Sequence, residues 1–150
     1  MGSPYHRGEA VWSIVFPSGY PLTPQPSTTL TLNTTRRGRR FEAQAESFLK
    51  ARGWRILDRN VRFLRKEIDL VVEKDELVAF VEVKGRSGLA FGHPLEAITW
   101  SKRHAISTAA SVWIARNDFP ARAYRFDAVS VRVLSCGRVE LEHIEGAWME

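Results

Sequence analysis

The chain has 150 residues, 44% of them hydrophobic and 11% aromatic, with 22 Lys or Arg against 17 Asp or Glu and a net charge of +5. That length suits one domain, and the apolar fraction excludes a wholly disordered chain. The lone cysteine, Cys136, excludes an intramolecular disulfide and any zinc cluster of Cys pairs, and no apolar run approaches the ~18 residues of a membrane span.

A single Cys fits a reducing compartment. The apolar stretch Ala10–Phe16 is short for a signal segment and runs into Pro17. A cytoplasmic protein is therefore expected. Its charge is unevenly spread. Residues 36–66 hold eleven Lys or Arg and three acids, a balance of +8, whereas residues 67–150 hold ten basic and thirteen acidic residues, a balance of −3. Such a field suits a polyanion, most commonly nucleic acid; a solvated Arg-rich face with no partner has the same composition.

In chain order, residues 1–35 differ from the rest. From Pro17 to Thr35 the chain is mostly Pro, Ser and Thr and carries no charge, which predicts a flexible extension. From Arg36 the pattern becomes regular. Phe41, Ala45, Phe48 and Leu49 form a helical stripe, with Thr34 or Thr35 as its cap and Gly53 beyond its C-terminus. Trp54–Asn60 reads as a strand. Glu67–Glu73 and Leu77–Lys84 read as a β-hairpin around Lys74 and Asp75. Gly85–Pro94 is expected as a loop, Leu95–Arg116 as one long helix, and Phe126–Val133 and Val139–Ile144 as strands separated by Gly137. The order α-β-β-β-α-β-β implies one α/β domain over residues 36–150, a mixed central sheet flanked by helices.

The hairpin concentrates the chemistry. Alternation puts Asp69 on one strand face with Glu67 and Val71, and Glu82 and Lys84 on one face with Val78 and Phe80. A four-residue loop sets Asp69 directly opposite Glu82; a two-residue loop centred on Lys74 and Asp75 sets them on a diagonal. Facing carboxylates destabilise a sheet unless something positive lies between them. Lys84 supplies one positive charge, and Mg²⁺, commonly held by one or two carboxylates, waters and phosphate oxygens, supplies a better one. A charged, solvent-facing strand has the same pattern. In the second helix, Lys102 fills a gap in the apolar stripe Leu95, Ile98, Ala105, Ile106, Ala109, Val112. It either meets an anion at the sheet or snorkels to water. Glu42 borders the first helical stripe beside Arg36–Arg40, either at the site or paired with those arginines. The four histidines share no metal-ligand spacing, and there is no phosphate-cradling glycine loop. Trp54 and Trp113 read as core; Trp100 reads as an exposed aromatic or a platform for a base.

Several runs together resemble a known family. They are Phe41-Glu42-Ala43-Gln44-Ala45, Ile56-Leu57-Asp58-Arg59-Asn60, Glu67-Ile68-Asp69-Leu70-Val71, Phe80-Val81-Glu82-Val83-Lys84-Gly85-Arg86, Pro94-Leu95-Glu96-Ala97-Ile98 with Lys102, Arg125-Phe126-Asp127, and His143-Ile144. The segment Arg36–Met149 resembles the YraN-like proteins of the PD-(D/E)xK, or restriction-endonuclease-like, nuclease superfamily, related to archaeal Holliday-junction resolvases. The resemblance implies an αβββαβ core. It also implies a Mg²⁺ (or Mn²⁺) site at Asp69, Glu82 and the Val83 carbonyl, and catalytic roles for Asp69, Glu82, Lys84, Glu42 and Lys102. Phe41 and Lys66 stand where the family usually has Gly, which takes space from the site.

The function expected is metal-dependent hydrolysis of phosphodiester bonds in DNA, including branched or junction DNA. Arg36, Arg37, Arg39, Arg40, Arg86 and Lys102 are the candidate nucleic-acid contacts. A homodimer would suit paired cuts in two strands. The alternatives are a DNA-binding protein of this fold with little or no cleavage, and a partner-binding module whose charges are merely solvated.

Overall fold

A computed structural model describes residues 36–87, 93–121 and 123–149; the expected extension at 1–35 and the caps Thr34 and Thr35 lie outside these. Helix α1 spans Arg36–Lys50. Gly53 sits at φ +85°, and the bonds Trp54 N–H to Leu49 carbonyl (3.1 Å) and Gly53 N–H to Lys50 carbonyl (3.0 Å) close the helix in a Schellman arrangement. The sheet follows as β1 (Arg55–Phe63), β2 (Lys66–Lys74), β3 (Leu77–Ser87), β4 (Ala123–Val133) and β5 (Val139–Ile144). The spatial order is β1-β2-β3-β4-β5. Every neighbouring pair is antiparallel except β3 and β4, which run parallel. A sheet with one parallel pair needs a crossover, and α2 (Trp100–Asn117) provides it. This is the mixed sheet flanked by helices expected of the restriction-endonuclease-like core.

Each helix covers one face. Ala45 and Leu49 of α1 pack with Trp54, Leu70, Val72, Ala79, Val81, Val129 and Val131. Ile106, Ala109, Ala110 and Trp113 of α2 pack with Ile68, Val71, Val78, Phe80 and Ala128 on the other face. Phe80 is fully buried among Trp113, Tyr124 and Phe126, a burial contributing about 1.5–3 kcal/mol. No described helix is long and apolar enough to cross a membrane.

Three expectations are corrected. The long helix Leu95–Arg116 is two elements: a 3-10 turn at Pro94–Ala97, then α2. Thr99 breaks it, its hydroxyl accepting from Lys102 N–H at 3.2 Å as an N-cap. The buried stripe of α2 is rotated to Ile106, Ser107, Ala109, Ala110 and Trp113, leaving Val112 half-buried. Trp113 turns the helix because its ring packs edge-on against Phe80 and its Nε1 donates to Asp58 Oδ2 at 3.1 Å. Asp58 reaches it through a β-bulge between Ile56 and Asp58. Finally, β3 runs three residues past Lys84, because each residue to Ser87 pairs with β4.

Candidate active site

The site lies where two paired strands part. The β2–β3 ladder runs from Lys74↔Leu77 to Leu70↔Val81 and ends there. Beyond it β2 continues against β1 and β3 continues against β4. The next residue on each diverging strand is Asp69 and Glu82. The turn is the two residues Asp75 and Glu76, both at positive φ (53° and 64°) as a type I′ turn requires. It lies one residue later than Lys74-Asp75, so the register opposes the two carboxylates and the diagonal arrangement does not occur.

In the gap, Asp69 Oδ2 accepts from the Val83 N–H at 2.7 Å, a side-chain bond in place of a ladder bond. Glu82 is only 2% exposed. Its Oε1 lies 2.7 Å from Lys84 Nζ and its Oε2 3.2 Å from Lys102 Nζ. The Lys102 contact is an ion pair without hydrogen-bond geometry, so Oε2 is buried with no hydrogen-bond partner. Lys102 Nζ also sits 3.5 Å from the Glu67 carbonyl. The structure thus brings Lys102 to the carboxylate from the helix side, while one-third of its side chain remains exposed.

The electrostatics are those of acids crowded into a poorly hydrated notch. Burial, then the charge of Glu82, pushes Asp69 up to about 7, against the pull of the Val83 N–H and Lys102. Burial, then the charge of Glu67, raises Glu42; a hydrogen bond with Asn60 and the charge of Arg39 oppose this, and Glu82 adds to it. Glu42 therefore senses the acids of the site as well as the nearby arginine. Glu46, one turn later, serves the fold instead. A bidentate bond from Arg59 (2.7 Å twice), with Lys50 beside it, pulls it down to about 2 and ties α1 to β1.

Among the described residues no group of three or more His, Cys, Asp or Glu is arranged to hold a metal. The donors on offer are Asp69 and Glu82 with backbone at Val83, a sparse set that suits Mg²⁺, which keeps waters and takes phosphate oxygens. A carboxylate oxygen buried without a hydrogen bond and a neighbouring carboxyl held against ionisation are both features that a cation would relieve. The residues fit the group.

The other candidates are more scattered. The side chains of Arg36 and Arg37 lie outside the described residues, and Arg39 and Arg40 are exposed on α1. Arg86 donates to the His93 carbonyl at 3.0 Å. Phe41 lies flat against the backbone just past Lys84: a Cβ on Gly85 would fall 1.8 Å from the Phe41 ring. Phe41 and Gly85 are a matched pair, and Lys66 is half-buried at the start of β2. Trp54 and Trp113 are core at 6% and 5% exposure; Trp100 is 78% exposed, stacked on His104 with ring centroids 5.5 Å apart.

Asn60 and the network around Asp127 escaped sequence reasoning. Asn60 takes φ +49°, a conformation Asn tolerates better than most residues, and so presents its side chain to Glu42. Asp127 is fully buried on the α1 side and accepts from Arg125 (2.7 and 2.9 Å) and Gly146 N–H (3.0 Å), with His143 Nε2 at 2.8 Å. Its carboxyl is lowered by the bonds from His143, Arg125 and Gly146, which outweigh its burial. An acid inside the apolar run Phe126–Val133 was the available signal.

Comparison with known proteins finds relatives over most of the described domain. A UPF0102 protein of Chlorobaculum tepidum is 41% identical over 117 residues, covering 75% of this chain and 91% of its own. One from Nocardia farcinica is 40% identical over 111 residues, covering 74% and 87%. One from Chloroherpeton thalassium is 48% identical over 96 residues, covering 63% and 73%. The profile of the uncharacterised protein family UPF0102 matches residues 41–131, a span that contains Glu42, Asp69, Glu82, Lys84, Lys102 and Asp127. The chain belongs to the UPF0102 family, the YraN-like group.

Proposed function

We propose that this protein is a divalent-metal-dependent DNA endonuclease, with Asp69 and Glu82 as its carboxylate ligands and Lys84 as its catalytic ammonium. The observation that carries the reading is the Asp69–Glu82 pair, Glu82 buried and Asp69 half-buried, set opposite one another where β2 and β3 separate, with two lysines on Glu82. Few structural roles require two facing acids in the middle of a sheet.

Asp69, Glu82 and the Val83 carbonyl would hold Mg²⁺ or Mn²⁺, which when bound polarises a phosphate and acidifies water. Lys84, one pleat along β3 from Glu82, would orient the attacking water and stabilise the charge that develops on the phosphate. Lys102 would hold Glu82 in place or take a non-bridging phosphate oxygen. Glu42 deepens the negative field at Asp69. On α1, a first turn with arginines and no acid opposes the helix dipole, and a polyanion beside it would offset that cost.

The alternative, DNA binding with little or no cleavage, draws support from Glu82 having a lysine at each oxygen, since a cation must compete with both. A cleavage screen decides between them: linear, branched, flapped and single-stranded DNA with Mg²⁺ or Mn²⁺, using wild type, Asp69→Asn and Glu82→Gln. Cleavage by wild type alone supports the nuclease. Salt-sensitive binding without cleavage on any substrate would leave the alternative standing.

A further inference from the structure

We propose that Arg86 and Arg132 form a two-arginine clamp for a backbone phosphate of the nucleic acid, one pleat beyond Lys84 on the face that carries the site. This rests on reading that face as a nucleic-acid site. The placement follows from the register. Along β3, Glu82, Lys84 and Arg86 share one face by alternation, and their parallel partners on β4 are Ala128, Ser130 and Arg132. Ala128 packs in the α2-side core, which fixes which face this is. Arg86 and Arg132 are therefore direct cross-strand neighbours on backbones roughly 4.8 Å apart.

Like charges directly opposite each other are disfavoured in a sheet, and an anion shared between them would stabilise the row. On the β5 side of the same face lie Glu140, opposite Arg132, and Glu142, opposite Ser130. Glu140, the β5 partner of Arg132, is engaged by Arg138 at 2.8 Å. Arg86 is held at the His93 carbonyl, which fixes the position of its guanidinium, and Arg132 is exposed. Guanidinium forks drawn from two neighbouring residues can hold the oxygens of one phosphate with paired, charge-assisted bonds. Two strand residues advance roughly 6.6 Å, about the separation of consecutive phosphates along a nucleic-acid strand. A nucleic-acid strand cut beside Lys84 would thus present another phosphate at this row. The clamp lies on the α2 face of the sheet, away from the α1 arginines, and so is a second, separate contact.

The test measures binding without cleavage. Fluorescence anisotropy with a labelled duplex and a labelled branched DNA in EDTA, over a KCl series, is read for wild type, Arg132→Gln, Arg132→Lys and Arg138→Gln. Circular dichroism melts establish that each variant is folded. Arg132→Gln should weaken binding and lower the slope of log affinity against log salt by about 0.9, the loss of one phosphate contact. Its deficit should then shrink about 3.5-fold between roughly 50 and 200 mM salt. Arg132→Lys should keep the slope, and Arg138→Gln, whose charge already faces Glu140, should change it less. A folded Arg132→Gln with wild-type affinity and slope overturns the clamp. If wild type cleaves DNA in Mg²⁺ and Arg132→Gln is silent, only the clamp fails. If wild type never cleaves but Arg132→Gln flattens the slope, the clamp stands and the nuclease reading fails.

Discussion

The fold opposes the ionisation of Asp69 more than that of any other acid among the described residues, and removing its charge should make the metal-free protein more stable. Its carboxyl rises from an ordinary 3.8 to about 7. The folded state therefore binds the proton more tightly than the unfolded chain does. The linked stability is fully present below about pH 4 and is lost as pH climbs through about 7. Roughly three pH units at 1.36 kcal/mol each amount to about 4 kcal/mol as a ceiling. Asparagine has no charge to lose, and its amide oxygen can still accept from the Val83 N–H. In EDTA, Asp69→Asn should match wild type near pH 4 and exceed it increasingly up to pH 7. At pH 8 the gain should approach the ceiling, worth roughly 15 °C in melting temperature for a domain of this size. Thermal melts by circular dichroism at pH 4 to 8 measure it. Adding Mg²⁺ at pH 8 should raise wild type and leave the variant unmoved, since only a bound ligand stabilises by mass action. Equal melting temperatures at pH 8 in EDTA, or a less stable variant, would refute the reasoning.

Lys84→Ala should abolish turnover with DNA affinity nearly unchanged, whereas Lys102→Ala should weaken binding and leave a measurable maximal rate; wild-type cleavage by Lys84→Ala would remove Lys84 from the chemistry. Gly85→Ala should cost about 1–3 kcal/mol by overpacking against Phe41, and Phe41→Leu in the same chain should recover part of it; strictly additive melting shifts would deny the contact. Asp127→Ala should destabilise by about 3–5 kcal/mol, because Arg125 and His143 lose a buried acceptor; a chemical denaturation midpoint within error of wild type would show that the network contributes little.

Most of the fold was legible because it rests on local patterns. Short apolar runs bounded by turn residues located all five strands, and the stripe Phe41, Ala45, Phe48, Leu49 located α1 together with Gly53 beyond its end. The juxtaposition of Asp69 with Glu82 was also legible, since a pleat has period two and the hairpin turn is short. What failed needed tertiary information. The break at Thr99 is a cap competing with a continuous apolar rhythm. The rotation of α2 comes from Trp113 finding Asp58, 55 residues away, through a bulge that no periodicity announces. Asp127 and His143 meet across β4 and β5, a pairing visible only once the strands are placed. Lys102 was legible as an anomaly in an apolar stripe, yet that anomaly alone left open whether Glu82 or water would receive it.

The single parallel pair has a consequence for the order in which the molecule assembles. Every β3–β4 contact joins residues 46 apart in the chain, whereas the β2–β3 contacts join residues no more than 11 apart. Hairpins close within microseconds, while a distant strand must first meet the entropy of closing its loop. Asp69 and Glu82 are therefore brought face to face early, while water still screens them. Glu82 loses that water when α2, which carries Lys102, and β4 close over β3. The electrostatic cost of the site falls on this late step, and Lys84 and Lys102 must be in position by then. Acidic juxtaposition and acidic desolvation are separate events in time, the second slower than the first.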